Sequence, residues 1–328
     1  MKALVVGLGS MGKRRVRNLT TNGIKDIIGY DLRQDRREEV VEKYQIKVLD
    51  NFEEAVIDRD AIIISVPPDK HMAYMGYAVD HEIPCFVEAS VVDDGMDELI
   101  KKSEEKKVLI CPSCTMRYLP AIKTIKKVID DSIIGKISHF SYHSGQFLPD
   151  WHPWENVKDF YVSNPLTGGA REIVPFELTW MNWIFGDILD IKGFYEKTID
   201  MDISIDDTYV SAIKYKSGVL GTLIVDVVSR SAVRQLIING NNGQIIWDWN
   251  SKQVRVYDAN LNRWIIYNDP EGHSEKGYND NIIEEPYINE IKDFIDSVAG
   301  KKTFPNSLMD DHKILKVLYK LEESCKKR

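Results

Sequence analysis

Lys2-Ala3-Leu4-Val5-Val6-Gly7-Leu8-Gly9-Ser10-Met11-Gly12 is a short apolar run that ends in G-x-G-x-x-G and leads into a helical stretch, an order that few folds accommodate. The spacing suits a dinucleotide pyrophosphate: Gly7 for a tight strand-to-helix turn, Gly9 for close backbone approach, and Gly12 for helix–strand packing. The N–H groups that open the helix then face the anion. A second strand, Ile27-Ile28-Gly29-Tyr30-Asp31, brings an acid about 20 residues beyond the glycines, where a ribose 2′-hydroxyl needs an acceptor.

Downstream, apolar runs alternate with helical stretches. Ala61-Ile62-Ile63-Ile64-Ser65, Cys85-Phe86-Val87-Glu88 and Val108-Leu109-Ile110-Cys111 read as strands, and 35–44, 69–80 and 95–106 as helices. Continuous apolar strands between helices imply a parallel sheet covered on both faces. After Arg117 and a helix over 119–130 the strands lengthen and alternate, at 136–147, 207–215, 219–228, 235–238 and 244–249, with closing helices at 282–298 and 308–326. The expected fold class is α/β: a doubly wound Rossmann domain over 1–116, then an α+β domain over 117–328 with a large, open, mostly antiparallel sheet. Trp247, Trp249, Val254, Val256, Trp264, Ile266 and Tyr267 offer more apolar area than one helical layer covers, so an exposed sheet face is expected to join copies into a homodimer or homotetramer.

The net charge of −8, with acids and bases interspersed, argues against nucleic acid and against an anionic membrane surface. No apolar run approaches the roughly 18 residues of a bilayer span, and a cytoplasmic location is expected. Cys85, Cys111, Cys114 and Cys325 are too scattered for a disulfide framework. The C-x-x-C spacing of Cys111-Pro112-Ser113-Cys114 has neither a second pair nor a His cluster to complete a metal site, so reduced thiols and no metal are expected.

With these residues in place the chain resembles the glucose-fructose oxidoreductase, inositol dehydrogenase and MocA group of nicotinamide-dependent sugar and polyol oxidoreductases. The resemblance rests on the glycine fingerprint, on Ser65-Val66-Pro67-Pro68-Asp69-Lys70-His71, and on Arg117-Tyr118-Leu119-Pro120. It also rests on Gln146-Phe147-Leu148-Pro149-Asp150-Trp151-His152-Pro153, on the Gly168-Gly169-Ala170 turn, and on Trp183-Ile184-Phe185-Gly186. It implies cofactor contacts from Gly7, Leu8, Gly9, Ser10, Met11, Gly12, Asp31, Arg33, Ser65, Val66, Pro67, His71 and Glu88. It also implies oligomerisation through the open sheet and a carbohydrate-like small-molecule substrate.

The family's three proton-handling side chains are absent. Glu88-Ala89-Ser90 stands where Glu-Lys-Pro is expected, and the ungapped match after the double glycine puts Ile173 at the acid position and Phe176 at the histidine position. Ala, Ile and Phe relay no proton. Polar work is therefore sought nearby, at Glu172, Arg171 and His152, with Arg117, Tyr118, Trp151, Tyr161 and Glu177 as substrate contacts. His143 is a further candidate because imidazole titrates near neutrality. Pro175 fits best as the first helical residue, which would leave Arg171 and Glu172 as a carboxylate–guanidinium pair in the preceding loop. Asp31 favours NAD over NADP, whereas Arg14, Arg15, Arg33, Arg36 and Arg37 could pair with a phosphate. The alternative to an oxidoreductase with non-standard catalytic residues is a cofactor-binding regulatory or ligand-binding protein on the same fold.

Overall fold

The computed structural model describes residues 1–151, 156–159, 161–275 and 282–325. Its contacts divide the chain into one unit of Met1–Thr115 with Tyr287–Lys313 and a second of Met116–Pro286 with Ile314–Arg328. A second domain running unbroken from 117 was expected, whereas 287–313 groups with the first unit. Phe294 and Phe304 pack edge-on against Phe86, at 5.8 and 6.2 Å between ring centroids, and bury apolar area that the first unit's own sheet leaves uncovered.

The first unit is built from β1 (Lys2–Val6), α1 (Ser10–Thr21), β2 (Asp26–Tyr30), α2 (Gln34–Tyr44), β3 (Lys47–Leu49) and the single turn α3 (Phe52–Ala55). It continues with β4 (Ala61–Ile64), α4 (His71–Asp80), β5 (Cys85–Val87), α5 (Met96–Lys106) and β6 (Ile110–Pro112). All six strands are parallel, in the order β3-β2-β1-β4-β5-β6. Strands β1 and β4 are buried along almost their whole length, as continuous apolar runs between two helical layers must be. The strand order reverses between β1 and β4, the point where a sheet of this kind opens a crevice at its carboxyl ends.

The second unit holds α6 (Pro120–Asp130), β7 (Ile137–Gly145), α7 (Ala170–Phe185), β8 (Ile188–Glu196), β9 (Thr208–Tyr215), β10 (Leu220–Asp226) and β11 (Val233–Gly240). Three more strands follow, β12 (Gly243–Asp248), β13 (Gln253–Asp258) and β14 (Arg263–Asn268). They make one eight-stranded sheet, β14-β13-β12-β11-β7-β10-β9-β8, antiparallel except for the central β7–β10 pair. Two helices, α8 (Glu285–Val298) and α9 (Leu308–Ser324), complete the order of elements. Phe140 and Tyr142 alternate inward along β7 to meet α7, Phe140 stacking on Phe185 and Tyr142 meeting Trp180 edge-on.

The face expected to lie open is the covered one. Trp247, Trp249, Val254 and Val256 are buried in the core beneath the helices, and Tyr267 packs against it. Side chains alternate along a strand, so Trp264, paired with Tyr257, and Ile266, paired with Arg255, project from the opposite face. They are exposed there, as are Phe194, Val210 and Ile237. Strands β3 and β8 had no counterpart in the sequence reading; β3 spans only three residues, too few to show a period.

Candidate functional site

The glycine turn of the first unit has a separate steric reason at each position. Gly7 holds φ +87°, and a Cβ there would lie 2.6 Å from the Ser65 carbonyl oxygen. A Cβ at Gly12 would lie 1.8 Å from the Gly7 carbonyl oxygen, so only glycine lets α1 approach β1. At Gly9 the nearest protein atom is the Arg36 guanidinium, 3.3 Å from a built Cβ. The backbone at Gly9 is thus smooth without being required to be so by packing, which fits a pyrophosphate resting on the Ser10–Gly12 turn that starts α1.

Around this turn, Asp31 accepts from the Leu8 N–H at 2.7 Å and from the Arg33 N–H at 2.9 Å, which fixes its carboxylate at the end of β2. The Arg33 side chain turns to Asp35 instead, in an exposed pair at 2.6 Å. Arg36 is the guanidinium at the glycines and stands 3.8 Å from Asp31. Ser65, Val66 and Pro67 follow β4. His71 is buried, with Nε2 3.0 Å from the Val66 carbonyl, and burial pushes its pKa down to about 4. The imidazole is therefore neutral at pH 7, with Nε2–H donating and Nδ1 buried without a partner among the described residues. Glu88, at the end of β5, receives Arg15 through two hydrogen bonds of 2.7 and 2.8 Å and the Ser65 hydroxyl at 3.2 Å.

The candidates of the second unit separate from one another. Pro175 lies inside α7, so Arg171 and Glu172 belong to its first turn and not to a loop. They do not pair. Arg171 reaches Glu322 at 2.7 Å and the Leu166 carbonyl at 2.5 Å, and lies 5.4 Å from the Tyr319 ring centre. Adjacent side chains on a helix point about 100° apart, so the pair expected from sequence is excluded by geometry.

Glu172 stands in different surroundings. Tyr161 donates its hydroxyl to Glu172 Oε1 at 2.6 Å, while Oε2 is buried with no hydrogen-bond partner among the described residues. Burial pushes the carboxyl up to about 7, against the smaller opposing effect of the Tyr161 hydrogen bond. A carboxyl in this state exchanges a proton at neutral pH. Ile173 and Phe176 pack, half-buried, against the unit's core beside it, as do Trp151 and Tyr161. The double glycine sets the start of the helix: a Cβ at Gly168 would meet the Val162 carbonyl oxygen at 2.0 Å.

Glu177 is fully buried and saturated. Tyr142 and Trp180 donate to Oε2 at 2.9 and 2.6 Å, and Ser144 and Arg234 to Oε1 at 2.9 and 3.1 Å. This carboxylate braces α7 against β7 and β11. Arg117 donates to the Thr179 carbonyl at 3.1 Å and faces the Trp183 ring, and Tyr118 is buried beneath Lys123. His143 pairs with Asp226 at 2.6 Å. It is one residue from Tyr142 and Ser144, so its side chain lies on the sheet face away from α7. His152 lies outside the described residues. Cys85, Cys111 and Cys114 are buried and form no disulfide, and burial pushes Cys85 up to about 12. Among the described residues no group of three His, Cys, Asp or Glu could hold a metal ion, and no helix is long and apolar enough to cross a membrane.

Sequence reasoning singled out Glu172 but missed its partner and its state; it offered Arg15 to a phosphate, whereas the side chain is taken by Glu88 and Glu290, and it passed over Glu290. The one local signal for Arg15 was a guanidinium placed three residues after the last glycine of the turn.

Comparison with known proteins is consistent with this geometry. Residues 122–246 match the GFO/IDH/MocA C-terminal domain, and residues 2–83 match the family described as NADP oxidoreductase coenzyme F420-dependent. Among solved structures, the chain is similar to an oxidoreductase from Agrobacterium radiobacter in complex with NAD+, L-tartaric acid and magnesium (TM-score 0.86, 14% identity, covering 99% of this chain and 96% of that one). It is also similar to levoglucosan dehydrogenase in complex with NADH (TM-score 0.84, 14% identity, 99% and 96% covered). UDP-N-acetylglucosamine 3-dehydrogenase from Acidithiobacillus ferrooxidans is a third such structure (TM-score 0.79, 16% identity, 99% and 97% covered). A comparison with curated proteins gives no match.

Proposed function

We propose that this chain, of GFO/IDH/MocA type through its second unit, is a nicotinamide-dependent oxidoreductase of a sugar, amino sugar, nucleotide sugar or cyclitol, with Glu172 as its proton-handling group. The observation that carries the reading is a carboxyl raised by burial to about 7, with one oxygen held by Tyr161 and the other without a partner among the described residues. A buried acceptor with no donor suits a substrate hydroxyl, because leaving it empty costs desolvation free energy that a ligand recovers. When bound, the nicotinamide supplies the hydride acceptor or donor. Glu172 takes or returns the hydroxyl proton at Oε2, Tyr161 fixes the carboxyl, and Phe176, one turn on along α7, shares its helix face. Trp151, Tyr161 and His152 are assigned to the substrate. Arg171, Glu177, Arg117 and Tyr118 are assigned to bracing, on the strength of the partners each already holds.

NAD is the proposed cofactor, because the fixed Asp31 carboxylate accepts from a ribose diol and repels a 2′-phosphate. Arg36 offers a counter-charge, so calorimetric titration decides: NADP binding as tightly as NAD refutes the preference. A homo-oligomer through the open sheet face is proposed from the exposed Phe194, Val210, Ile237, Trp264 and Ile266. To test the activity, nucleotide released on denaturation is identified, and sugars are screened for absorbance change with it. E172Q is expected to lose on the order of 100-fold in kcat, within the usual range for a proton-transfer group. Turnover unchanged in E172Q removes Glu172 from the mechanism; cofactor binding without turnover of any carbohydrate favours the regulatory alternative.

A further inference from the structure

One guanidinium ties together the carboxyl ends of several strands in the first unit. Arg15, fully buried on α1, holds Glu88 after β5 through the two bonds of 2.7 and 2.8 Å and Glu290 of α8 at 3.0 Å. Glu290 is also fully buried and accepts from the Ser113 hydroxyl, the Cys114 N–H and the Thr115 hydroxyl at 3.0, 2.5 and 2.7 Å. Glu88 is the member that reaches the surface, with 16% of its side chain exposed, and Ser65 at the end of β4 donates to it. Two carboxylates therefore share Arg15.

Arg15 is one positive charge set against the two carboxyl groups of Glu88 and Glu290. Ala89 and Ser90 bring no cation to its loop, His71 is uncharged at neutral pH, and Arg14 lies over the Tyr287 ring at 4.2 Å. In a doubly wound sheet the two mononucleotide halves divide at the strand reversal, so β4, β5 and β6 carry the half opposite the Asp31 adenosine half. That is the nicotinamide half, if the cofactor reading above holds. An oxidised nicotinamide ring carries a positive charge and a reduced one carries none.

We propose that Glu88, clamped by Arg15, makes this half-site favour the oxidised, positively charged ring over the reduced, neutral one and so lowers the reduction potential of the bound couple. Arg15 is the positioning residue: by holding both oxygens of Glu88 it leaves the carboxylate no freedom to turn away. A fixed charge needs no reorganisation when the ring changes state.

The test measures dissociation constants of NAD+ and NADH separately by calorimetry on the full chain and its Glu88→Gln and Glu88→Asp variants, with folding checked by thermal melts. In E88Q the ratio of the NAD+ to the NADH constant is expected to rise about fivefold, whereas E88D, which keeps the charge, stays within about twofold of wild type. A folded E88Q with an unchanged ratio, or with an equal loss of both cofactors, overturns the proposal while leaving the cofactor site standing. Failure of wild type to bind either cofactor overturns the underlying cofactor reading instead.

Discussion

Replacing Glu172 by Gln should stabilise the protein while disabling it, and the size of the gain follows from its surroundings. The carboxyl is raised from an ordinary 4.5 to about 7 by burial, so the folded state binds the proton more tightly than the unfolded state does. Between those two values folding takes up protons, and stability falls as pH rises. Each pKa unit is worth about 1.4 kcal/mol, so the fully ionised carboxylate costs about 3 kcal/mol above pH 8 but only about 1 kcal/mol at pH 5. Glutamine keeps an acceptor for Tyr161 and carries no charge. In urea melts E172Q should therefore gain about 2 kcal/mol more, relative to wild type, at pH 8.5 than at pH 5. A difference between the two proteins that does not vary with pH would refute the burial argument, whatever the activity. A large gain at high pH with full turnover retained would keep the electrostatics and remove the proton-handling role.

Gly9→Ala should leave the fold intact, with Tm within about 2 °C of wild type, because its Cβ meets only a flexible guanidinium. NAD affinity should fall on the order of tenfold, and calorimetry checks it. Gly12→Ala places a Cβ on the Gly7 carbonyl and should unfold the first unit, as loss of the cooperative melt would report. His71 is neutral and buried, with its pKa depressed from 6.5 to about 4, so the unfolded state binds the extra proton; stability present above pH 6.5 is lost as pH falls toward 4, by about 2 kcal/mol at pH 5. Because Glu172 contributes an opposite slope over the same range, the check is a difference between two proteins: in urea melts the stability of wild type relative to H71N should fall by about 2 kcal/mol from pH 8 to pH 5. Light scattering at micromolar concentration should give an oligomer mass for wild type and a smaller one for Phe194→Asp; a monomer mass for wild type refutes the sheet-face assembly.

The strands β1, β4 and β5, the glycine turn and the acid at the end of β2 were legible because each is a local pattern. A run of apolar residues, a spacing of glycines or an i-to-i+4 period is complete within about 20 residues. The helix carrying Glu172 was misjudged at its start, since Pro175 suggested a boundary. The structure continues the helix through it: Pro175 is an interior residue of α7, so the Arg171 carbonyl forgoes its i+4 donor, and the buried Val174, Leu178 and Trp180 hold the helix in place.

By itself the sequence determined the alternation of strand and helix and the spacing of the glycine turn. Tertiary structure decided which groups became chemical. Trp247 and Trp264 look alike as letters, yet a strand period of two and the pairing of Trp264 with Tyr257 send them to opposite faces. Arg171 and Glu172 are neighbours in the chain and strangers in space, one bound to Glu322 and the other to Tyr161. Arg15 finds Glu88 and Glu290 across 73 and 275 positions, a separation no local period encodes. A pKa depends on what surrounds a group in three dimensions, so the raised pKa of Glu172 came into existence only when the chain closed around it.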